Sequence, residues 1–359
     1  MTNSFPKTTS IIERGIEEGL HPGAQLFVSR HGEPLVNLGF GHAVDHVAMT
    51  PDSIVLWMSA VKPITAMAVA REWERGTIDL EAPVARYIPE FSENGKEAVT
   101  VRHILTHTGG FPGYFVPWSI GCDEAIRAIC ALPLEDGWIP GKKAGYHPSS
   151  GWQILGELME RVTGRDYSVY VREELFLPLG MNDCWLGMPE DVAKDYGDRV
   201  AVTVAGKPGA MRPTNHRVHH LAQCRPGANG RGPIRELGAF YEVLRTGGGP
   251  LCQADTVAMF TGLQREGMYD ETFAHTMDWG LGFMRNSGQY GNDTVPYGFG
   301  DHASDEVFGH GGMQSTMAFC DPVYDLVVAW ACIGMPGEPL HQARNRAINT
   351  AIYEDLGIV

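Results

Sequence analysis

Residues 56–76 read LWMSAVKPITAMAVAREWERG. Ser59 stands three positions ahead of Lys62 at the head of an apolar run with helical spacing. Positions i and i+3 share one face of a helix, so this run places the Lys62 amine beside the Ser59 hydroxyl. A serine hydroxyl is a weak nucleophile at neutral pH and needs a base within hydrogen-bond reach. Lysine serves as that base only where burial or neighbouring positive charge makes it neutral. Ser-x-x-Lys alone arises by chance on many helix surfaces, and its setting has to carry the reading. Here the pair follows the strand-like run IVLWM (54–58), and Pro63 sits early in the helix, where a missing N–H costs least. A serine at a helix N-terminus also presents its own backbone N–H to a developing oxyanion.

Outward from this segment the pattern changes twice. Residues 8–20 predict an amphipathic helix with Ile11, Ile12, Ile16 and Leu20 opposite Glu13, Glu17 and Glu18. AQLFVSR (24–30) and PLVNLGF (34–40) flank His31-Gly32-Glu33 and predict a hairpin. From about residue 80 to 265, helices alternate with Gly/Pro-rich loops, as in VRHILTHTGGFPG (101–113), GWQILGELMERVTG (151–164) and IRELGAFYEVLRTGGG (234–249). Strand-like runs return at WGLGF (279–283), STMAFC (315–320) and DLVVAWACI (325–333), and a helix over 339–356 closes the chain. The order predicts an α/β protein of the α+β type. A mainly antiparallel sheet flanked by helices would form from 1–80 and 266–359, a helical lobe would be inserted at 81–265, and the site would lie in the cleft between them.

Bulk properties narrow the function. The 359 residues are 43% hydrophobic and 20% charged, with a formal net charge of −15 and no cluster of Lys and Arg, which argues against nucleic acid. No apolar run approaches the roughly 18 residues of a membrane span. The start MTNSFPKTTSIIERGIEEGLHPG (1–23) lacks the basic and apolar regions of a secretion signal, so a cytoplasmic location is expected. The seven cysteines, Cys122, Cys130, Cys184, Cys224, Cys252, Cys320 and Cys332, are scattered and never in C-x-x-C spacing. They read as reduced core fillers rather than a disulfide frame or a zinc site.

With Ser59-x-x-Lys62 in this context, the chain resembles the serine β-lactamase and penicillin-binding-protein superfamily. Within it the nearest resemblance is to β-lactamase-related esterases and transacylases that share the class C β-lactamase fold. VRHILTHTGGFPG resembles the family's LLTHTSG segment, and IPGKKAGYHPSSGWQILGELMERVTG (139–164) its second motif, a tyrosine between a Pro-Gly turn and a helix. EELFLPLGMNDCWLG (173–187) resembles the PLGM helix end, and FGHGGMQSTMAFCDP (308–322) stands where the third motif begins the central edge strand. The likeness runs from about residue 8 to 356, in the family's order. It implies that Ser59 is the acylated nucleophile, that Lys62 and Tyr146 share base and acid work, and that the Ser59 and Met313 amides form the oxyanion hole. Tyr146 would lose its proton below the usual phenol range beside a charged lysine. His310, Gly311, Gly312 and Met313 would contact substrate, the glycines leaving room for it.

Two departures matter. The asparagine of the usual Tyr-x-Asn motif is missing after Tyr146, with Ser149 as the candidate substitute, and His310 replaces the usual lysine of K-T-G. A mostly neutral histidine weakens attraction for a carboxylate-bearing substrate and suits a neutral ester. His103 and His107 have metal-like i, i+4 spacing but no companion glutamate, and HRVHH (216–220) reads as a solvated loop. There is no G-x-S-x-G and no G-x-G-x-x-G after a strand. Phe111, Tyr114, Phe115, Trp118 and Trp138 are either lobe packing or an aromatic cleft wall. The expectation is a serine hydrolase of small or medium esters, with no metal or organic cofactor and a small-molecule ester or amide as its partner. Its rivals are an acyltransferase, an amidase or D-aminopeptidase-type peptidase, and a non-catalytic acylation sensor or scaffold.

Overall fold

The computed structural model describes residues 5–214 and 218–359. The predicted hairpin forms from β1 (Gly23–Arg30) and β2 (Glu33–Val44). His31 and Gly32 have φ of 54° and 81°, the left-handed pair that a two-residue hairpin turn requires. After β3 (Val47–Ala48) the sheet is resumed far along the chain by β4 (Arg265–Asp270), β5 (His275–Trp279), β6 (Met284–Arg285), β7 (Phe308–Gly312), β8 (Thr316–Asp321) and β9 (Leu326–Cys332). These nine strands lie in the order β3-β2-β1-β9-β8-β7-β6-β5-β4, and every neighbouring pair is antiparallel. The two ends of the chain meet where β1 pairs with β9, from Ala24 opposite Cys332 to Arg30 opposite Leu326.

Alternation along the central strands sorts side chains to two cores. Leu26, Val28, Met317, Phe319, Val328 and Trp330 pack with Ile12, Ile348, Ile352 and Tyr353. These last four lie on α1 (Pro6–Glu17) and on the closing helix, which spans Glu338–Asp355. Phe27, Ala318, Cys320, Val327, Ala329 and Ala331 face the opposite core, which they share with α2 (Lys62–Glu74) and α3 (Ser150–Thr163). Because both faces are covered, β8 and β9 read as continuous apolar runs rather than as alternating ones. Residues 62–70 of α2 are all buried, so that stretch of helix is covered all round.

Several elements differ from the sequence reading. IVLWM yields only a two-residue strand, Val55–Leu56, which pairs with Gly230–Gly232 outside the main sheet. WGLGF is no strand: β5 ends at Trp279, and the Gly282 amide turns away to donate to Leu105 O. VRHILTHTGGFPG is helical only over Val101–Leu105, because His107 has φ 58° and cannot continue a right-handed helix. The span 81–265 also holds short strands and α4 (Ile234–Arg245), which lies on β1, β8 and β9. With the closing helix as α5, the sheet thus has α1 and α5 on one face and α4 on the other. All seven cysteines are free thiols. Among the described residues no helix is long and apolar enough to cross a membrane.

The strand of the third motif is not an edge strand, because β7 lies between β8 and β6. Yet β6 pairs only with Phe308 and Gly309, so residues 310–312 are open on that side. That unpaired flank is buried against the turn that carries Ser59. A Cβ on Gly312 would lie 2.2 Å from Trp57 O and 3.1 Å from Met58 Cβ, and one on Gly311 would meet the Tyr297 ring at 2.3 Å. The glycines therefore let β7 approach the protein's own nucleophile turn and Tyr297. Gly312→Ala should destabilise the fold by about 1–3 kcal/mol through overpacking. Urea unfolding measures this, and an unchanged midpoint would contradict the close approach.

Candidate active site

Ser59 begins a short 3-10 turn, Ser59–Val61, that leads directly into α2. The residue before it, Met58, has φ 49° and ψ −136°. Such a conformation costs a non-glycine residue about 1–3 kcal/mol and persists only where the surroundings enforce it. Here Val61 N–H donates to Met58 O, and Gly312 packs on Met58 from β7. Nothing in the sequence marked Met58, since strain has no residue-type signature there.

Lys62 is fully buried, and its Nζ lies 3.0 Å from Ser59 Oγ, 2.8 Å from Pro148 O and 2.8 Å from Gly227 O. Burial holds this amine well below its ordinary range. A neutral amine has two N–H groups and one lone pair. Lys62 Nζ has all three oxygens as hydrogen-bond acceptors, and whenever the amine is neutral the two carbonyls keep its two hydrogens and the lone pair turns to Ser59 Oγ. The Pro148 and Gly227 carbonyls were missed by the sequence reading. A trace lay in RPGANG (225–230), because a Cβ on Gly227 would press on Trp152 at 2.8 Å and on Lys62 Nζ at 3.2 Å.

Tyr146 is brought to the same point. Its hydroxyl hydrogen-bonds the Ser59 side chain, and Lys62 Nζ lies 5.1 Å from its ring centre. The phenol is not acidified as the resemblance implied. Burial pushes it up, the Ser59 hydrogen bond opposes this, and the Asp270 carboxylate adds to the rise. The physical reason is that burial disfavours the charged phenolate more than the Ser59 hydrogen bond favours it. Tyr146 is a proton donor at neutral pH.

Three buried histidines surround this group. His310 Nδ1–H donates to Gly311 O at 2.7 Å, leaving Nε2 as a bare acceptor. Burial, reinforced by Lys62, pushes His310 down to about 3. His147 accepts Phe111 N–H on Nε2, and burial likewise pushes it to about 3. His107 accepts His147 N–H on Nδ1, lies tilted against the Tyr146 ring at 4.7 Å, and is held well below its usual value by burial first and by His147 next. His103 caps its own helix by accepting Thr100 N–H, so the i, i+4 pair is occupied structurally on both sides. Of HRVHH, His216, Arg217 and the side chains of Val218 and His219 lie outside the described residues.

A cavity of about 430 Å³ opens at Ser59 and is bordered by Tyr146, Ser149, His310, Gly311 and Met313, but not by Gly312. Of the aromatic candidates, Phe115 and Trp118 line it. Phe111 and Trp138 are instead buried at 2% and 5% exposure, the first against His147 and the second donating to Thr108 O. Phe273 and Tyr297, which no motif singled out, complete the aromatic wall. Ser149 Oγ accepts Val116 N–H at 2.8 Å, so it also anchors the loop that carries Phe115.

The buried neutral histidines set the acid limit of the fold. In the unfolded chain His147 and His310 bind protons below about pH 6.5, whereas in the folded chain they do so only near 3. The unfolded state gains protons first as pH falls. Stability is therefore complete above 6.5 and declines towards 3, by about 1.4 kcal/mol per pH unit for each such histidine. Urea midpoints at about pH 7.5 and about pH 5 should differ accordingly, and equal midpoints would contradict this burial.

Comparison with known proteins agrees with the geometry. The family described as Beta-lactamase matches residues 9–352. Esterase EstB of Burkholderia gladioli is 29% identical over 324 residues, covering 77% of this chain and 78% of that protein. The crystal structure of a family VIII carboxylesterase matches with a TM-score of 0.78 at 27% identity, covering 99% of this chain and 98% of the other. A penicillin-binding protein homologue from Caulobacter crescentus matches with a TM-score of 0.82 at 26% identity, covering 98% of each. A seryl–lysyl–tyrosyl cluster beside this sheet, with the family match across nearly the whole length, means that the chain belongs to the β-lactamase family.

Proposed function

We propose that the protein hydrolyses small or medium carboxylic esters through an acyl-enzyme on Ser59. The observation that carries this reading is the setting of Lys62, a fully buried amine of lowered basicity whose Nζ lies 3.0 Å from Ser59 Oγ and 2.8 Å from each of Pro148 O and Gly227 O. The names of the relatives, an esterase and a carboxylesterase, support the substrate class. So does the replacement of a charged lysine by a neutral His310 beside an apolar and aromatic cavity.

In the proposed cycle Ser59 Oγ attacks the ester carbonyl carbon while its proton passes to Lys62 Nζ. The carbonyl oxygen becomes an oxyanion facing the Ser59 and Met313 amides. When the carbon–oxygen bond to the alcohol breaks, the leaving oxygen takes a proton from Tyr146, which is restored by the Lys62 ammonium. Water then attacks the acyl group, again giving its proton to Lys62, and Ser59 Oγ leaves with a proton from Tyr146, which the Lys62 ammonium again restores. An alcohol or amine in place of that water turns the same acyl-enzyme into an acyltransferase.

The test uses p-nitrophenyl esters of increasing chain length, a cephalosporin and a D-Ala dipeptide, with turnover and intact mass as readouts. Esters should turn over fastest and add the acyl mass to wild type but not to Ser59→Ala. That variant should lose about 10⁵-fold in kcat or more. Added alcohol should divert product to the new ester if water is not the main acceptor. Because Lys62 must be unprotonated to act, kcat/KM should fall as pH drops through a limb well below the ordinary lysine value of 10.5. Lys62→Arg, which stays charged, should lose about 10²–10⁴-fold across the whole range. Equal turnover by Ser59→Ala would refute the reading.

A further inference from the structure

Three consecutive amides in the loop carrying Tyr146 are each tied to a named acceptor. Gly145 N–H donates to His107 O at 3.0 Å, Tyr146 N–H to Asp270 Oδ1 at 2.9 Å, and His147 N–H to His107 Nδ1 at 3.0 Å. The remaining polar backbone atom of Tyr146, its carbonyl oxygen, accepts the Thr272 hydroxyl at 3.0 Å. Both polar backbone atoms of Tyr146 thus end on the β4–β5 hairpin, and its neighbours' amides end on His107.

Asp270 is fully buried and carries more than this one bond. Its Oδ1 also accepts Thr272 N–H and Phe273 N–H, each at 3.1 Å, and its Oδ2 faces Arg265 Nη2 at 3.0 Å. Arg265, 3% exposed, uses Nη1 to donate to Thr106 O at 2.9 Å, one residue before His107. One guanidinium therefore joins the two sets of acceptors. It also lies over Trp279, 5.2 Å away, whose ring stacks on Tyr146 at 5.8 Å.

A buried ion pair is a poor source of stability, because desolvating both charges offsets most of their attraction and an apolar pair serves as well. What an apolar pair lacks is direction. A carboxylate that accepts three amides and a guanidinium fixes the backbone it touches, and a catalytic group displaced by about 1 Å loses about 10²-fold in rate. This pair grips the backbone of a tyrosine whose hydroxyl must meet Ser59.

We propose that the Asp270–Arg265 pair is a positioning device for Tyr146, holding its phenol against Ser59 from the β4–β5 hairpin. The proposal rests on the role given to Tyr146 above. Neither residue touches substrate, since neither borders the cavity, and the pair acts only through the tyrosine.

A double-mutant cycle on p-nitrophenyl ester hydrolysis tests it. Asp270→Ala should lower kcat about 10²-fold with KM within about twofold. In a Tyr146→Phe background the same substitution should change kcat by less than about twofold, because the group being positioned is gone. Any loss of folding is common to both backgrounds, so a purely structural role lowers kcat equally in each. That additive result overturns the proposal, as does a full-rate Asp270→Ala. Should Asp270→Ala fail to fold, Thr272→Val removes one hydroxyl at nearly constant volume. It should cost about fivefold in kcat in the wild-type background and nothing in the Tyr146→Phe background, with additivity again the contrary result. A fully active Tyr146→Phe variant would instead overturn the proposed chemistry and the clamp with it, which separates the two failures.

Discussion

An amine at the centre of a protein with no anion beside it gives up its proton more readily than in water, and Lys62 is such an amine. Burial is the cause of its lowered basicity, and its neighbours are two carbonyl oxygens and a hydroxyl. An isolated ammonium in that position would cost several kcal/mol even after relaxation. The uncharged form avoids this cost, and the two carbonyls orient it. The rest of the site shares the burial that lowers the amine's basicity. Tyr146 keeps its proton because burial disfavours the phenolate, and His107, His147 and His310 are held neutral first of all by the same burial.

Such an arrangement demands close distances between segments remote in sequence, and the fold supplies them in three ways. The sheet closes with β1 against β9, so that β7 is held in its interior with only the 310–312 end open. Gly312 allows that end to rest on the Trp57 carbonyl and to keep Met58 in its strained conformation. Gly227 allows the loop after residue 224 to reach Lys62, which a side chain would prevent. Each is a close approach of backbone to backbone or to a key side chain, the circumstance in which glycine cannot be replaced cheaply.

Much of the candidate site was legible in the sequence because its chemistry sits on a few recognisable residue types. Ser59 and Lys62 were visible through helical spacing, and Tyr146 and His310 through the order of short motifs around them. Met58, Pro148 O, Gly227 O, Phe273 and Tyr297 were not visible. Backbone carbonyls carry no residue signature, strained dihedrals none at a methionine, and aromatic side chains look alike whether they pack a core or border a cavity. Phe111 and Phe115 show this, since they lie four positions apart yet one is buried and the other borders the cavity at 53% exposure.

The sequence by itself determined the local terms: the His31-Gly32 turn, the apolar runs that became β8 and β9, the amphipathic helix at the start, and the pairing of Ser59 with Lys62 on one helix face. These depend on steric preference and on the periodicity of side chains a few residues apart. Tertiary structure decided the protonation states, because desolvation depends on every segment that excludes water from a group. It also turned WGLGF from a strand into a turn, and converted the expected phenolate into a phenol. Both outcomes rest on contacts between residues more than a hundred positions apart, such as Gly282 N–H with Leu105 O and Tyr146 N–H with Asp270, and local periodicity carries no information about which distant partner will be there.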